Sequence, residues 1–186
     1  MTGDAQTWIA LLRGVNVGGR NILPMKQLAV EMQGLGLDDI KTYLQSGNVV
    51  FACSPARAAA VQDEIRELIL GRFGFECSVL VMGREALAAA VSANPFPESG
   101  PEQDGKTLHL FFASLPLDCA DMRKLDAVAA PTERWRIVGS VLYMHTPDGF
   151  GRSKLAANAE KYLKQPVTAR NWRTVIQLLT IADTPH

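Results

Sequence analysis

The chain has 186 residues, enough for one compact unit or for two small subdomains. Apolar residues make up 47% of it, which supplies a core and excludes a chain disordered throughout. Nineteen Lys and Arg balance nineteen Asp and Glu, so no global field draws the protein onto nucleic acid or an acidic membrane, and an anion site has to be local.

The opening M-T-G-D-A-Q-T-W-I has no basic region and no long apolar run, and it does not read as a signal peptide. Thr7–Leu12 reads as the first strand and Arg13–Leu23 as a loop. Pro24 fits the first turn of a helix, where its missing N–H costs nothing. Met25, Leu28, Ala29, Met32 and Leu35 recur at helical spacing until Gly34 and Gly36 end the run. Asp39–Leu44 and Val49–Cys53 read as strands joined by Gln45-Ser46-Gly47-Asn48, residues that tolerate left-handed backbone in a hairpin. Pro55–Phe73 is a second helix with Ala58, Val61, Ile65, Leu68 and Ile69 on its apolar side, and Glu76–Met82 is a fourth strand. The order β-α-β-β-α-β is that of a ferredoxin-like, split β-α-β half.

A short helix is predicted over Arg84–Val91, followed by a Pro-, Gly- and acid-rich linker. The pattern then restarts. Thr107–Ala113 is a strand and Asp118–Val128 a helix, and Arg134–Val138 and Val141–His145 form a hairpin around Gly139-Ser140. Ser153 caps a helix to Leu163, and a last helix runs from about Ala169 to Ile181 with Thr168 in the cap position. The second half therefore reads as β-α-β-β-α, the same order without its last strand. The expected fold is α+β: two ferredoxin-like halves with antiparallel sheets plus an extra C-terminal helix. Its bounds are residues 1–93 for the first half, 94–106 for the linker, and 107–186 for a degenerate second half carrying the last helix.

Three places carry chemistry. Arg13-Gly14-Val15-Asn16-Val17-Gly18-Gly19 ends the first strand on a fixed charge, an amide and glycines that admit close backbone approach. Gly149 and Gly151 lead into the helix capped by Ser153, with Lys154 in its first turn, a combination that resembles phosphate cradles without the spacing of a P-loop. Thr168-Ala169-Arg170-Asn171-Trp172-Arg173 puts two arginines near a helix N-terminus, with Trp172, Val175, Ile176 and Leu179 on one side and Arg170, Arg173, Thr174 and Gln177 on the other. A solvated polar face is the plain alternative for these arginines, and a capped, glycine-bearing turn for the two loops. The histidines, His109, His145 and His186, lie apart from any nucleophile, and no carboxylate pair stands at a strand end, so acid–base machinery is poorly supplied. Cys53, Cys77 and Cys119 are too scattered for a disulfide framework or a zinc site; they read as small buried hydrophobes of a cytoplasmic protein, and no metal is expected.

Five ordered blocks carry a resemblance: R-G-V-N-V-G-G (13–19), Y-L-Q-S-G-N-V-V-F (43–51), N-P-F (94–96), G-F-G-R-S-K-L (149–155) and T-A-R-N-W-R-T-V (168–175). Together they resemble a bacterial family of conserved hypothetical proteins, that of domain of unknown function 1697. The resemblance implies two ferredoxin-like halves. It implies no established activity, so it carries no catalytic residue onto this chain.

The leading expectation is a cytoplasmic protein that binds a small anionic or phosphorylated ligand without a cofactor; whether turnover follows is left open. Its site gathers Arg13, Asn16, Gly18 and Gly19 from the first loop and Ser46 and Asn48 from the hairpin. Lys154 joins them from the Ser153 helix, and Arg170, Asn171 and Arg173 from the last helix. A second reading is a single-stranded nucleic-acid binder using Trp8, Tyr43, Phe51, Phe111, Phe112 and Tyr143, disfavoured by zero net charge and the lack of a basic–aromatic stripe. A third is an interaction module in which the Arg, Asn and Gly blocks only join the halves. No membrane association is expected, because no apolar run approaches a span in length. Oligomeric state is not legible.

Overall fold

The structure, a computed structural model, describes residues 5–97 and 105–184. Residues 98–104 of the expected linker, the first four residues of the N-terminus and His186 lie outside the described residues. In chain order the elements are β1 (Gln6–Arg13), α1 (Met25–Gln33), β2 (Asp38–Tyr43), β3 (Asn48–Cys53), α2 (Pro55–Phe73), β4 (Ser78–Gly83) and α3 (Arg84–Ser92). There follow β5 (Leu108–Ala113), α4 (Met122–Val128), β6 (Arg134–Val138), β7 (Val141–His145), α5 (Lys154–Leu163), β8 (Val167–Asn171) and α6 (Trp172–Asp183). A single 3₁₀ turn, Phe150–Arg152, precedes α5. The chain divides into two compact units. One extends to Ala88 and takes in the chain from Leu178 onward; the other is Ala89–Gln177.

Each unit holds one four-stranded antiparallel sheet, in the orders β2-β3-β1-β4 and β6-β7-β5-β8. Both are the ferredoxin-like order, so the expected fold class holds in each half. In the first unit Ala10, Leu12, Val49, Phe51 and Val79 turn one sheet face toward Leu28 and Met32 of α1 and Val61, Ile65 and Ile69 of α2. In the second, Phe111, Ala113, Leu142 and Met144 do the same toward Leu125 of α4 and Leu155, Ala159 and Leu163 of α5. Each of these side chains larger than alanine contributes about 1.5–3 kcal/mol by burial.

The second half is not degenerate. Val167–Asn171 forms the fourth strand, paired with β5 in register from His109↔Asn171 to Ala113↔Val167. It was hidden because no turn separates it from the next helix. Asn171 both ends β8 and caps α6, its Oδ1 accepting the Thr174 N–H at 2.8 Å. The cap is therefore Asn171 rather than Thr168, and Arg170 lies in a strand rather than on the helix. On α6 itself Thr174 is buried with Trp172, Val175 and Leu178, so its polar face is narrower than the helical wheel suggests. Helix α4 starts at Met122 rather than Asp118, with Asp121 as its cap.

Cys53 and Cys77 are buried as expected; Cys119 is exposed, a correction. It follows Leu117 in a surface turn before α4, outside the apolar pattern of either neighbour. Desolvation pushes the Cys77 thiol up to about 11, so it stays protonated at neutral pH.

Candidate functional site

The residues singled out in the sequence fall into two sets, one in each unit. The first set forms a backbone frame. Asn16 adopts φ 54°, a left-handed conformation that asparagine tolerates best after glycine. Its Nδ2 donates to the Leu23 carbonyl at 2.9 Å and to the Gln45 carbonyl at 2.7 Å, while its Oδ1 accepts the Leu23 N–H at 2.8 Å. One side chain thus ties the first loop shut and pins it to the hairpin. Gly18 and Gly19, both at positive φ, make the tight turn bracketed by the Val17–Arg20 bridge. Asn48 is fully buried, and its Nδ2 donates to the Tyr43 carbonyl and the Ser46 Oγ, both at 2.9 Å. Gly47 gives its carbonyl to the Leu12 N–H at 2.8 Å. A Cβ at Gly47 would stand 2.7 Å from both Leu12 Cβ and Val15 Cγ2, so only glycine fits there. Arg13 is half-buried at the end of β1, opposite Ser78. Arg13, Asn16, Ser46 and Asn48 thus come to one end of the first sheet.

The second set gathers at one end of the second sheet. The ladders put the starts of β5 and β6 beside the ends of β7 and β8. Several contacts knit the segments there. The Thr146 N–H donates to the Thr107 carbonyl at 2.8 Å, Thr132 donates to the Asp148 carboxylate, and Gly105 packs on the Arg173 backbone so closely that a Cβ would lie 3.1 Å from its nitrogen. Helices α5 and α6 both begin here. Ser153 Oγ caps α5 by accepting the Ala156 N–H at 2.9 Å. Lys154 and Arg173, in the two first turns, are exposed, as are Lys106, Arg134 and Arg152. Among the described residues, five cations and two carboxylates, Glu133 and Asp148, therefore lie in the segments at this sheet end. Both carboxylates already accept a hydrogen bond, Glu133 from the Ala130 N–H at 2.9 Å and Asp148 from Thr132.

Arg170 stands apart from its neighbours. Strand alternation turns it to the sheet face opposite Asn171, and it is 8% exposed. Its Nη1 donates to Thr168 Oγ1 at 2.9 Å and to the Ala169 carbonyl at 2.8 Å. Burial pushes its pKa down to about 10, which still leaves it charged at neutral pH. On the helix side of the same sheet end, His109 stacks on Phe150 with ring centroids 3.8 Å apart. Desolvation lowers the His109 pKa to about 4, so its imidazole is neutral under ordinary conditions. Among the described residues no group of three or more His, Cys, Asp or Glu could hold a metal ion.

Sequence reasoning missed Lys106, Arg134 and Arg152. Lys106 sits at the linker end, where the only signal is a cation one residue before a strand. Arg152 stands inside the G-F-G-R-S-K-L block beside the more conspicuous Lys154. Of the six aromatics considered for base stacking, Phe51, Phe111, Phe112 and Tyr143 are buried, and the Tyr143 hydroxyl donates to the Ala90 carbonyl at 2.6 Å.

Two complete ferredoxin-like units, each with a polar cluster at one sheet end, define an α+β protein of tandem ferredoxin-like architecture. The model of the family described as Protein of unknown function (DUF1697) matches residues 5–143, and the chain belongs to that family. The matched span takes in the first three of the five sequence blocks. A structure of the conserved bacterial protein SP0830 from Streptococcus pneumoniae resembles this chain with a TM-score of 0.68 and 22% identity, covering 97% of this chain and 100% of that one. At that identity the likeness concerns the fold. A search of curated proteins found no match. No described helix is long and apolar enough to cross a membrane.

Proposed function

We propose that this protein binds a small anionic or phosphorylated ligand at the end of the second sheet, with Lys154 and Arg173 as its main contacts. One observation carries the reading: among the described residues, five exposed cations lie in the segments at the sheet end where α5 and α6 begin, together with two carboxylates. The helix dipoles add partial positive charge at the same place. Lys106 and Arg152 widen the field. Asn171 is a frame residue here, and Arg170 supports the strand from its buried face. In the first unit Asn16, Gly18, Gly19, Ser46 and Asn48 shape the loop and hairpin beside Arg13, the last residue of β1. The three free thiols fit a reducing cytoplasm.

The test is a thermal-shift titration with inorganic pyrophosphate at fixed ionic strength. A ligand that binds only the folded state raises the melting temperature by mass action. The wild type is expected to shift and the Lys154→Ala/Arg173→Ala double variant is not. Equal shifts in both proteins, or none in either, would contradict the reading.

A second reading rests on a different observation. Val17, Ile22 and Leu44 are 66%, 61% and 55% exposed on the loop and hairpin that Asn16 joins, and Leu44 sits at φ 58°. An apolar group held on strained, well-tied turns suits a protein contact. Val17→Ser/Leu44→Ser should leave pyrophosphate binding intact and abolish any partner captured through that loop.

A further inference from the structure

Each sheet has two edges, and an open edge is a template for another strand. Among the described residues, three of the four edges are blunted. Strand β2 carries an irregular register between Asp38 and Lys41, with Asp39 at φ 52°. On β4 the outward Val81 N–H is taken by Gln62 Oε1 of α2 at 3.2 Å. On β8 the Ala169 carbonyl is taken by Arg170 at 2.8 Å.

Strand β6 is different. The two-residue turn Gly139-Ser140 makes Val138 and Val141 a hydrogen-bonded pair, so alternation turns the main-chain groups of Arg134 and Arg136 toward β7. Those of Trp135 and Ile137 then point out of the sheet. Along this edge runs a groove of about 600 Å³ of mixed character: Met122, Ala129, Trp135 and Ile137 line it together with the charged Asp126, Glu133, Arg134 and Arg136, and the Trp135 indole N–H donates to Asp126 at 3.1 Å. Met122 is 52% exposed beside it. Arg134 and Arg136, both exposed, alternate with Trp135 and Ile137 and also reach the groove, Arg134 with its guanidinium 5.0 Å over the Phe96 ring.

This arrangement selects its occupant. A second copy of β6 pairing antiparallel on this edge would set arginines against arginines, and like charges opposed across a ladder destabilise it. An added strand with acidic side chains on the arginine face reverses that sign. Its alternate side chains would meet Met122, Ala129, Trp135 and Ile137, the apolar part of the groove beside α4. We propose that the edge of β6 binds an extended peptide segment by strand addition, the segment alternating acidic and apolar residues. This inference shares Arg134 with the cations near the anion site, but Lys154 and Arg173 take no part in it, and its test is made at Arg136, outside that cluster.

The test uses the full chain and a fluorescein-labelled peptide alternating glutamate and valine, read by anisotropy. The wild type is expected to bind it, and Arg136→Glu to weaken binding by about tenfold or more, the equivalent of one interaction across the ladder. Lysine–valine peptide is expected to bind Arg136→Glu better than wild type. Methylating alternate peptide amides, which removes donors without changing charge, is expected to abolish binding. Failure of the glutamate–valine peptide to bind overturns the proposal. So does binding that survives amide methylation, which would be charge attraction without an added strand.

Discussion

Asn16→Ala tests whether the first loop is a frame or a ligand contact. The substitution removes three hydrogen bonds, to the Leu23 carbonyl, the Gln45 carbonyl and the Leu23 N–H. At a net 0.5–1.5 kcal/mol each, they amount to roughly 1.5–4.5 kcal/mol. The Gln45 bond is exposed and belongs at the low end, while Leu23 is fully buried and its orphaned N–H belongs at the high end. Alanine at φ 54° adds about 1 kcal/mol that asparagine largely avoids. The expected loss is about 3 kcal/mol. In urea, with a slope of about 2 kcal/mol/M, the midpoint should fall by about 1.5 M at unchanged slope. Asn16→Gly should recover about 1 kcal/mol of that loss, because glycine relieves the backbone term and nothing else. A midpoint within about 0.3 M of the parent for Asn16→Ala would refute the frame, since losses that small are typical of ordinary surface positions.

Gly47→Ala should destabilise by about 2–5 kcal/mol, read in the same urea transition, because its Cβ would meet Leu12 and Val15 at 2.7 Å and φ is 77°. A parent-like transition would mean the hairpin moves freely off β1. Trp172→Ala should cost about 3–5 kcal/mol, since the side chain is 5% exposed, and a parent-like melt would show that the indole is not part of the core. His109 has a folded pKa depressed to about 4 from 6.5, so the unfolded chain binds its proton first. Stability should therefore be full above about pH 6.5 and fall as pH drops toward 4, by at most about 3 kcal/mol. His109→Phe should flatten that window, and an unchanged pH profile would remove His109 as its source.

The parts of the fold that were legible in the sequence had separate signals at both ends. Pro55 opens α2 and Gly74 closes it, Gly139-Ser140 separates β6 from β7, and Ser153 caps α5; all these boundaries match prediction. Strand β8 had no such separation. Asn171 serves strand and helix at once, so V-T-A-R-N reads as a helix approach when no partner strand is in view. The same step moved Arg170 from an expected helix face to a buried strand position. The glycine- and asparagine-rich loop was legible as special, but its purpose was not. Amides that could hold a ligand and amides that hold backbone carbonyls look alike in sequence, and only the bonds of Asn16, Asn48 and Asn171 tell them apart. Lys106 and Arg152 join the second sheet end through pairing of β5 with β7 and β8, which lies far beyond local sequence range.

The central claim is that anions bind where α5 and α6 begin. Titrating inorganic pyrophosphate into ¹⁵N-labelled protein reads this position by position through amide chemical shifts. The largest movements are expected at the first-turn amides Leu155, Arg173 and their neighbours, saturating with one common affinity and vanishing in Lys154→Ala/Arg173→Ala. Movements centred on Gly14–Arg20 instead, or none that saturate, would contradict the account.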